Sequence, residues 1–231
     1  MKKKPSNKLK ILVKIIAIIL LIIGLPISYF AVITLKAYFD SPKIVTQIYS
    51  SNKIVLKLED LPENYRIALI TVEDPLFYQH NGIDLKTPGA GYTTITQGLV
   101  KVYFFPEGFS PGFLRYKKIK QSLMALAFNS KVDKNTQLEV FINSVYLGNN
   151  QQKEIIGFPA AAKSYFNKDF AALTFDEYLS LVAMIIAPND LSVSKQPDKN
   201  KERVKRITHL LKGECWPTNL TDVYYENCQE K

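Results

Sequence analysis

Glu73 and Asp74, followed by Phe77, His80 and Gly82, bring two carboxylates, an aromatic ring and one of only two histidines together at the end of an apolar helical run. A loop held by a rigid element is where catalytic groups are commonly mounted. A carboxylate placed there can take a proton from a hydroxyl as a general base; the plain alternative is a solvated acidic helix end. A second polar cluster, Gly91-Tyr-Thr-Thr-Ile-Thr-Gln97, offers the hydroxyls of Thr93, Thr94 and Thr96 and the amide of Gln97 to a sugar or a phosphate. As composition it equally describes the edge of a β-branched strand. The third cluster is cationic: Arg115, Lys117, Lys118 and Lys120. Such runs are usually solvated helix faces, yet a departing diphosphate needs a surface of this kind.

The elements that position these clusters read as mainly helical. Asp60 as a cap and Pro62 in the first turn open a helix in which Tyr65, Leu69 and Val72 recur at i, i+4, i+7. It delivers Glu73 to its C-terminal end, where Pro75 stops it. Residues 83 to 114 show no clean period and carry Phe104, Phe105, Phe109 and Phe113. Tyr116 to Phe128 is helical, with Ile119, Leu123 and Leu126 on one face and Lys117, Lys120 and Gln121 on another. A helix from Asp133 buries Leu138, Ile142 and Val145 and ends at Gly148. Two more follow, Pro159 to Phe166 and Phe175 to Ala187, the latter opened by the capping box Thr174-x-x-Glu177 and closed by Pro188. A basic helical piece, Lys201 to Leu211, comes last. Ahead of them all, the short β-branched runs Ile44 to Ile48 and Ile54 to Leu58 predict a small hairpin.

A chain of 231 residues holds one ordinary domain plus an appendage. The appendage is at the front: an anchor at residues 15–36, whose run Ile15 to Leu35 is uncharged between Lys14 and Lys36 and long enough to span a bilayer, after a tail (1–14) with six lysines and no acid. Positive charge stays in the cytoplasm, so the remainder is expected outside, on an uncleaved anchor. Removing those six lysines reduces the formal +9 to +3, which argues against nucleic-acid binding and suits work beside anionic lipid or phosphate. Cys215 and Cys228, in the terminal segment 212–231, either close a disulfide or stay free; neither has the company of a zinc site.

Taken in order, the three clusters resemble the glycosyltransferase family 51 domain, the lipid II polymerase of bacterial cell-wall synthesis. The family's E-D-x-x-F-x-x-H-x-G is met by Glu73, Asp74, Phe77, His80 and Gly82. Its G-x-S-T-I-T-Q-Q reads Gly91-Tyr-Thr93-Thr94-Ile95-Thr96-Gln97-Gly98, with threonine for serine and glycine for the last glutamine. The segment Leu138 to Gly148 resembles I-L-E-x-Y-L-N-x-x-x-x-G, and Ala160 to Phe166 resembles A-A-x-x-Y-F. Counting back from Gly148, the family's R-K-x-x-E falls on Lys117-Lys118-Ile119-Lys120-Gln121, so Gln121 stands where the family has its second catalytic glutamate. The resemblance covers residues 41–211, and with no penicillin-binding domain behind it the chain is similar to the monofunctional members.

The resemblance implies a lysozyme-like helical domain with a jaw lobe, for which the phenylalanines of 103 to 114 are the membrane-dipping candidates. It implies a single-pass protein of the bacterial cytoplasmic membrane, its catalytic domain extracytoplasmic. Its reaction is attack by the 4-hydroxyl of one lipid-linked disaccharide on the anomeric carbon of another chain, expelling a lipid diphosphate. Glu73 is then the base, and Gln121 replaces a glutamate that orients the diphosphate or its metal. Asp74, Phe77, His80, Thr93, Thr94, Gln97, Arg115, Lys117, Lys118 and Lys120 become substrate-binding residues, with His80 organising its loop. A divalent cation, Mg or Mn, would bridge the diphosphate, although the sequence shows no dedicated metal site. The expected partners are lipid II and the growing glycan, membrane lipid and other cell-wall synthesis proteins, with no nucleic acid. Gln121 leaves a catalytically impaired member that binds lipid II or synthases as an alternative. A lysozyme-like lytic enzyme is a second, disfavoured by the T-I-T-Q motif and the anchor.

Overall fold

The computed structural model describes residues 7–105, 107–109, 114–150 and 153–228, with Val13, Leu114 and Arg115 described by backbone alone. It is mostly helical. Helix α1, Asn7–Ser50, has 44 residues. At about 1.5 Å per residue it is roughly twice as long as the ~30 Å hydrocarbon layer is thick. Its first half is exposed and apolar enough to cross a membrane by length and composition. Its second half belongs to the domain, burying Ala37, Ser41 and Ile48.

The hairpin expected at Ile44 to Leu58 is not there. Ile44 to Ile48 form the last turns of α1, and the chain after it runs into a short 3-10 turn, Leu58–Asp60. Burial of Ile48 and Leu56 outweighs the strand preference of short β-branched runs. The amide side chain of Asn143 serves in place of a partner strand: its Oδ1 accepts from the Val55 and Leu56 N–H at 3.0 and 2.9 Å, and its Nδ2 donates to the Leu56 carbonyl at 2.7 Å. The hairpin lies later, where β1 (Tyr146–Asn150) pairs antiparallel with β2 (Lys153–Ile156), Tyr146 opposite Ile156.

Helix α2 spans Glu63–Glu73 with Pro62 at its cap; Asp60 sits in the preceding 3-10 turn and does not cap it. Tyr65, Ala68, Leu69 and Val72 form its buried stripe. Helix α3 is Ile95–Phe104 and α4 is Leu114–Asn129. The core face of α4 is Gln121, Met124, Ala125 and Phe128, whereas Ile119 and Leu126 are exposed. Tyr116 explains the difference: it packs on Tyr29 and Phe30 of α1, with ring centroids 5.7 and 5.5 Å away. An apolar stripe beside a membrane-length helix need not be buried in protein.

Helix α5, Lys134–Ser144, starts at Asp133, whose carboxylate accepts the Thr136 N–H at 2.9 Å. It stops at Ser144, so Gly148 lies in β1 and does not end a helix. Helix α6 is Phe158–Phe166; α7, Phe175–Met184, carries the expected Thr174/Glu177 capping box; α8, Pro197–Leu211, begins a turn earlier than expected. Tyr65 of α2 stacks on Tyr178 of α7 at 4.2 Å, each hydroxyl satisfied by a backbone carbonyl, and this fixes the first turn of α2, the end opposite Glu73.

The segment after α8 is no free tail. Cys215 and Cys228 are disulfide-bonded, and Asn219 and Leu220 accept backbone hydrogen bonds from Gly89 and Gly91 at 2.9 and 2.8 Å. The aromatics expected to be exposed in the jaw are half-buried where described: Phe104 sits edge-on to Phe128 and Phe105 edge-on to Phe109. Phe113 and the side chain of Arg115 lie outside the described residues.

Candidate active site

A cleft of about 690 Å³ opens between the end of α2, the start of α3, the α7–α8 region and the terminal segment. Of the residues singled out in the sequence, Glu73, Thr93 and Thr94 line it. Glu73 is half-buried at the last turn of α2. Burial raises its carboxyl from 4.5 to about 7, the neighbouring Asp74 adds to the rise, and Arg203 opposes it. Such a carboxyl exchanges its proton near neutral pH, which is the property a general base requires.

Asp74, Phe77 and His80 stand behind the cleft and do not line it. Asp74 is fully buried; one oxygen meets His80 Nε2 at 2.7 Å and the other accepts the Ile95 N–H, the first of α3, at 2.9 Å. His80 Nδ1 accepts from the Gly82 N–H at 2.9 Å, so its proton is on Nε2 and points to Asp74. Both ring nitrogens are thereby committed to holding the loop. Phe77 is fully buried, with the Lys134 ammonium 4.4 Å from its ring centroid.

The threonine motif builds a helix start. Thr94 caps α3: its Oγ1 donates to the Gly82 carbonyl at 2.8 Å and accepts the Gln97 N–H at 3.1 Å, while Gln97 Oε1 accepts the Thr94 N–H at 3.1 Å. Motif one and motif two are thus one hydrogen-bonded unit. Gln97, fully buried, reaches α4 and not the cleft, donating to Ser122 Oγ at 2.9 Å.

Gln121 is 2 % exposed and does not line the cleft among the described residues. Its Nε2 donates to the Gln97 backbone carbonyl at 2.7 Å and its Oε1 accepts from Lys118 at 3.0 Å. Both halves of the amide are used, one as donor and one as acceptor. A carboxylate could supply only the second. Lys118 also donates to Thr93 Oγ1 at 3.1 Å, which brings its charge to the cleft rim; burial and the nearby Lys101 lower it to about 8, leaving it mostly protonated at neutral pH. Lys117 and Lys120 are not among the described lining residues, and Lys120 sits 5.1 Å from the Phe105 ring centroid.

The α4 side of the site therefore presents the Lys118 ammonium beside the amides of Gln97 and Gln121, a donor set that does not suit a divalent cation. No group of three or more His, Cys, Asp or Glu is placed to hold a metal among the described residues. The residues present do not fit a protein-held Mg or Mn.

Sequence reading missed Lys101 and Arg203, both in the cleft wall. Thr94, Gly98 and Lys101 recur at i, i+4, i+7 along one face of α3, and that spacing was the available signal for Lys101. Arg203 falls with Ile207 and Leu210 on the buried stripe of α8, and an arginine at a core position of an amphipathic helix was the available signal.

A sequence model described as transglycosylase matches residues 41–212. The chain is 32% identical to penicillin-binding protein 1F of Bacillus subtilis over 89% of its own length and 32% of the relative's. It is 30% identical to penicillin-binding protein 1B of Haemophilus influenzae, covering 77% of this chain and 24% of that one. To penicillin-binding protein 1B of Escherichia coli it is 30% identical, covering 74% and 22%. The chain thus spans about a third or less of the length of these relatives.

Proposed function

Because the chain belongs to the transglycosylase family of peptidoglycan glycosyltransferases, we propose that it polymerises lipid II into glycan strands with Glu73 as the general base. The observation that carries this reading is the half-buried Glu73 carboxyl, raised to about 7, in the same cleft as Thr93 and Lys101. A sugar hydroxyl is a poor nucleophile at neutral pH, so its proton must pass to a positioned base as it attacks the anomeric carbon. The bond broken is that between the anomeric carbon and the diphosphate. A diphosphate leaves without a proton when cations meet its charge. Lys101 and Lys118 supply that charge in this chain, and Gln121 holds Lys118 through a hydrogen bond where the family uses a carboxylate.

Thr93 and Thr94 border the sugar, Asp74 and His80 hold the loop, and Lys117 and Lys120 provide positive charge on the lipid-diphosphate side. The apolar first half of α1 anchors the domain in the cytoplasmic membrane, with the lysine-rich front inside and the cleft outside. Lipid II and the growing glycan are then met at the membrane surface, beside lipid and other cell-wall synthesis proteins.

The test is polymerisation of purified lipid II by the full chain. Wild type should yield glycan strands, and Glu73→Gln should lower the rate by about 10²–10⁴-fold, the usual contribution of a general base. Soluble sugars released from finished peptidoglycan would instead mark a lytic enzyme. Lipid II binding without product, restored to turnover by Gln121→Glu, would mark the impaired member.

A further inference from the structure

The disulfide-closed segment forms part of the wall around Glu73. Thr221 and Val223 line the cleft together with Gly89 and Gly91. Gly89, at φ +79, allows a close approach: a Cβ there would stand 2.6 Å from Pro217 Cγ. Val223 offers its carbonyl to Arg203 at 2.8 Å, and the Tyr225 hydroxyl donates to the carbonyl of Val72, the residue before Glu73, at 2.8 Å. Tyr224 and Tyr225 hold their rings 5.4 and 5.3 Å from the Arg203 guanidinium. Arg203 is itself 2 % exposed, with Nε donating to the Ala183 carbonyl at 3.1 Å. Cys228, 2 % exposed, closes the segment onto Cys215.

We propose that the segment Cys215–Cys228 is a clamp on the base: it fixes Arg203 as the positioning residue that sets the charge around Glu73, and the disulfide keeps the clamp shut. The inference rests on the reading of Glu73 as the base. The titratable groups whose charge acts on Glu73 are Asp74, next to it in the chain, Tyr178 from α7, Arg203 from α8 and Tyr225 from the segment. Arg203 is the cation of that set. It favours the ionised carboxylate, against burial and Asp74. Its guanidinium is held from one side by α7 and from the other by Val223, Tyr224 and Tyr225, all within the disulfide loop. Cutting the cross-link restores the chain entropy that the bond removed, and these contacts loosen first.

The experiment titrates Glu73 without turnover. The full chain, carrying ¹³C-carboxyl glutamate, is followed by NMR against pH, the Glu73 signal being assigned by its loss in Glu73→Gln. Oxidised wild type is compared with wild type reduced by dithiothreitol, which is oxidised as two thiols form, with Cys215→Ser/Cys228→Ser, and with Arg203→Gln and Arg203→Lys. Reduction, the double serine variant and Arg203→Gln should each raise the Glu73 midpoint, by about one pH unit for loss of an adjacent opposite charge. The acid limb of the polymerisation rate should move with it, and Arg203→Lys should stay near wild type. An unchanged midpoint after reduction and in the double serine variant, with the native amide spectrum retained, would overturn the proposal. Those two samples decide the matter if Arg203→Gln does not fold. A wild type that titrates as expected but makes no glycan would sink Glu73 as base and leave the clamp standing.

Discussion

At the scale of single residues, two side chains carry the account. Glu73 has a folded-state value of about 7 against 4.5 in the open chain, so the native state holds the proton more tightly. Its ionised form therefore costs stability, a cost absent below the lower value, growing between the two and complete above the higher. Glu73→Gln escapes that cost. It should gain stability relative to wild type on going from about pH 4 to about pH 8, by at most on the order of 3 kcal/mol, read from urea midpoints in detergent. A difference that does not change with pH would mean that the carboxyl is not raised. Gln121 matters in a different way. Gln121→Glu places a carboxylate oxygen against the Gln97 carbonyl, now 2.7 Å from the amide nitrogen, and loses a donor in a buried place. A loss of about 1–3 kcal/mol is expected in the same unfolding measurement, and a stabilised variant would contradict this view of the amide.

At the scale of elements, the site depends on how α2 and α3 are tied. Thr94 joins them by capping α3 while donating to the Gly82 carbonyl. Thr94→Ala should cost about 1 kcal/mol from the cap alone, and Thr94→Ser should recover most of it in thermal unfolding. Gly82, at φ +97, lies against α4, where a Cβ would come 2.8 Å from the Ala125 carbonyl oxygen. Gly82→Ala is expected to be more damaging than the cap variant. Motif-bearing helices were legible in the sequence because caps and apolar stripes are local: α2, α5 and α7 follow from Leu69, Asp133 and the Thr174 box. The hairpin was misplaced because Asn143, far along the chain, satisfies the backbone of Val55 and Leu56. The core face of α4 was misread because α1 packs beside its apolar stripe, a contact that no period within α4 reveals. Glu73 was legible from its motif, whereas Arg203 reaches the cleft only through tertiary packing.

At the scale of the whole molecule, a lysine-rich front, a membrane-length helix and a mildly basic domain are the features on which the proposed orientation rests. If the domain lies outside the membrane, intact cells treated with a membrane-impermeant reductant and maleimide should label Cys215 and Cys228 without permeabilisation. Labelling that appears only after permeabilisation would reverse the orientation. On the proposed reading the cleft meets lipid-linked sugar at the outer face of the membrane, with Gln121 standing where the resemblance implies a second carboxylate. The most direct measurement is the rate of lipid II polymerisation by the purified full chain against pH, for wild type, Glu73→Gln and Gln121→Glu. Wild type should make glycan at a rate rising through a single ionisation at about pH 7, Glu73→Gln should be about 10²–10⁴-fold slower, and no glutamate at 121 should be needed. Glycan from Gln121→Glu alone, with wild type inert at every pH, would contradict the proposed reading.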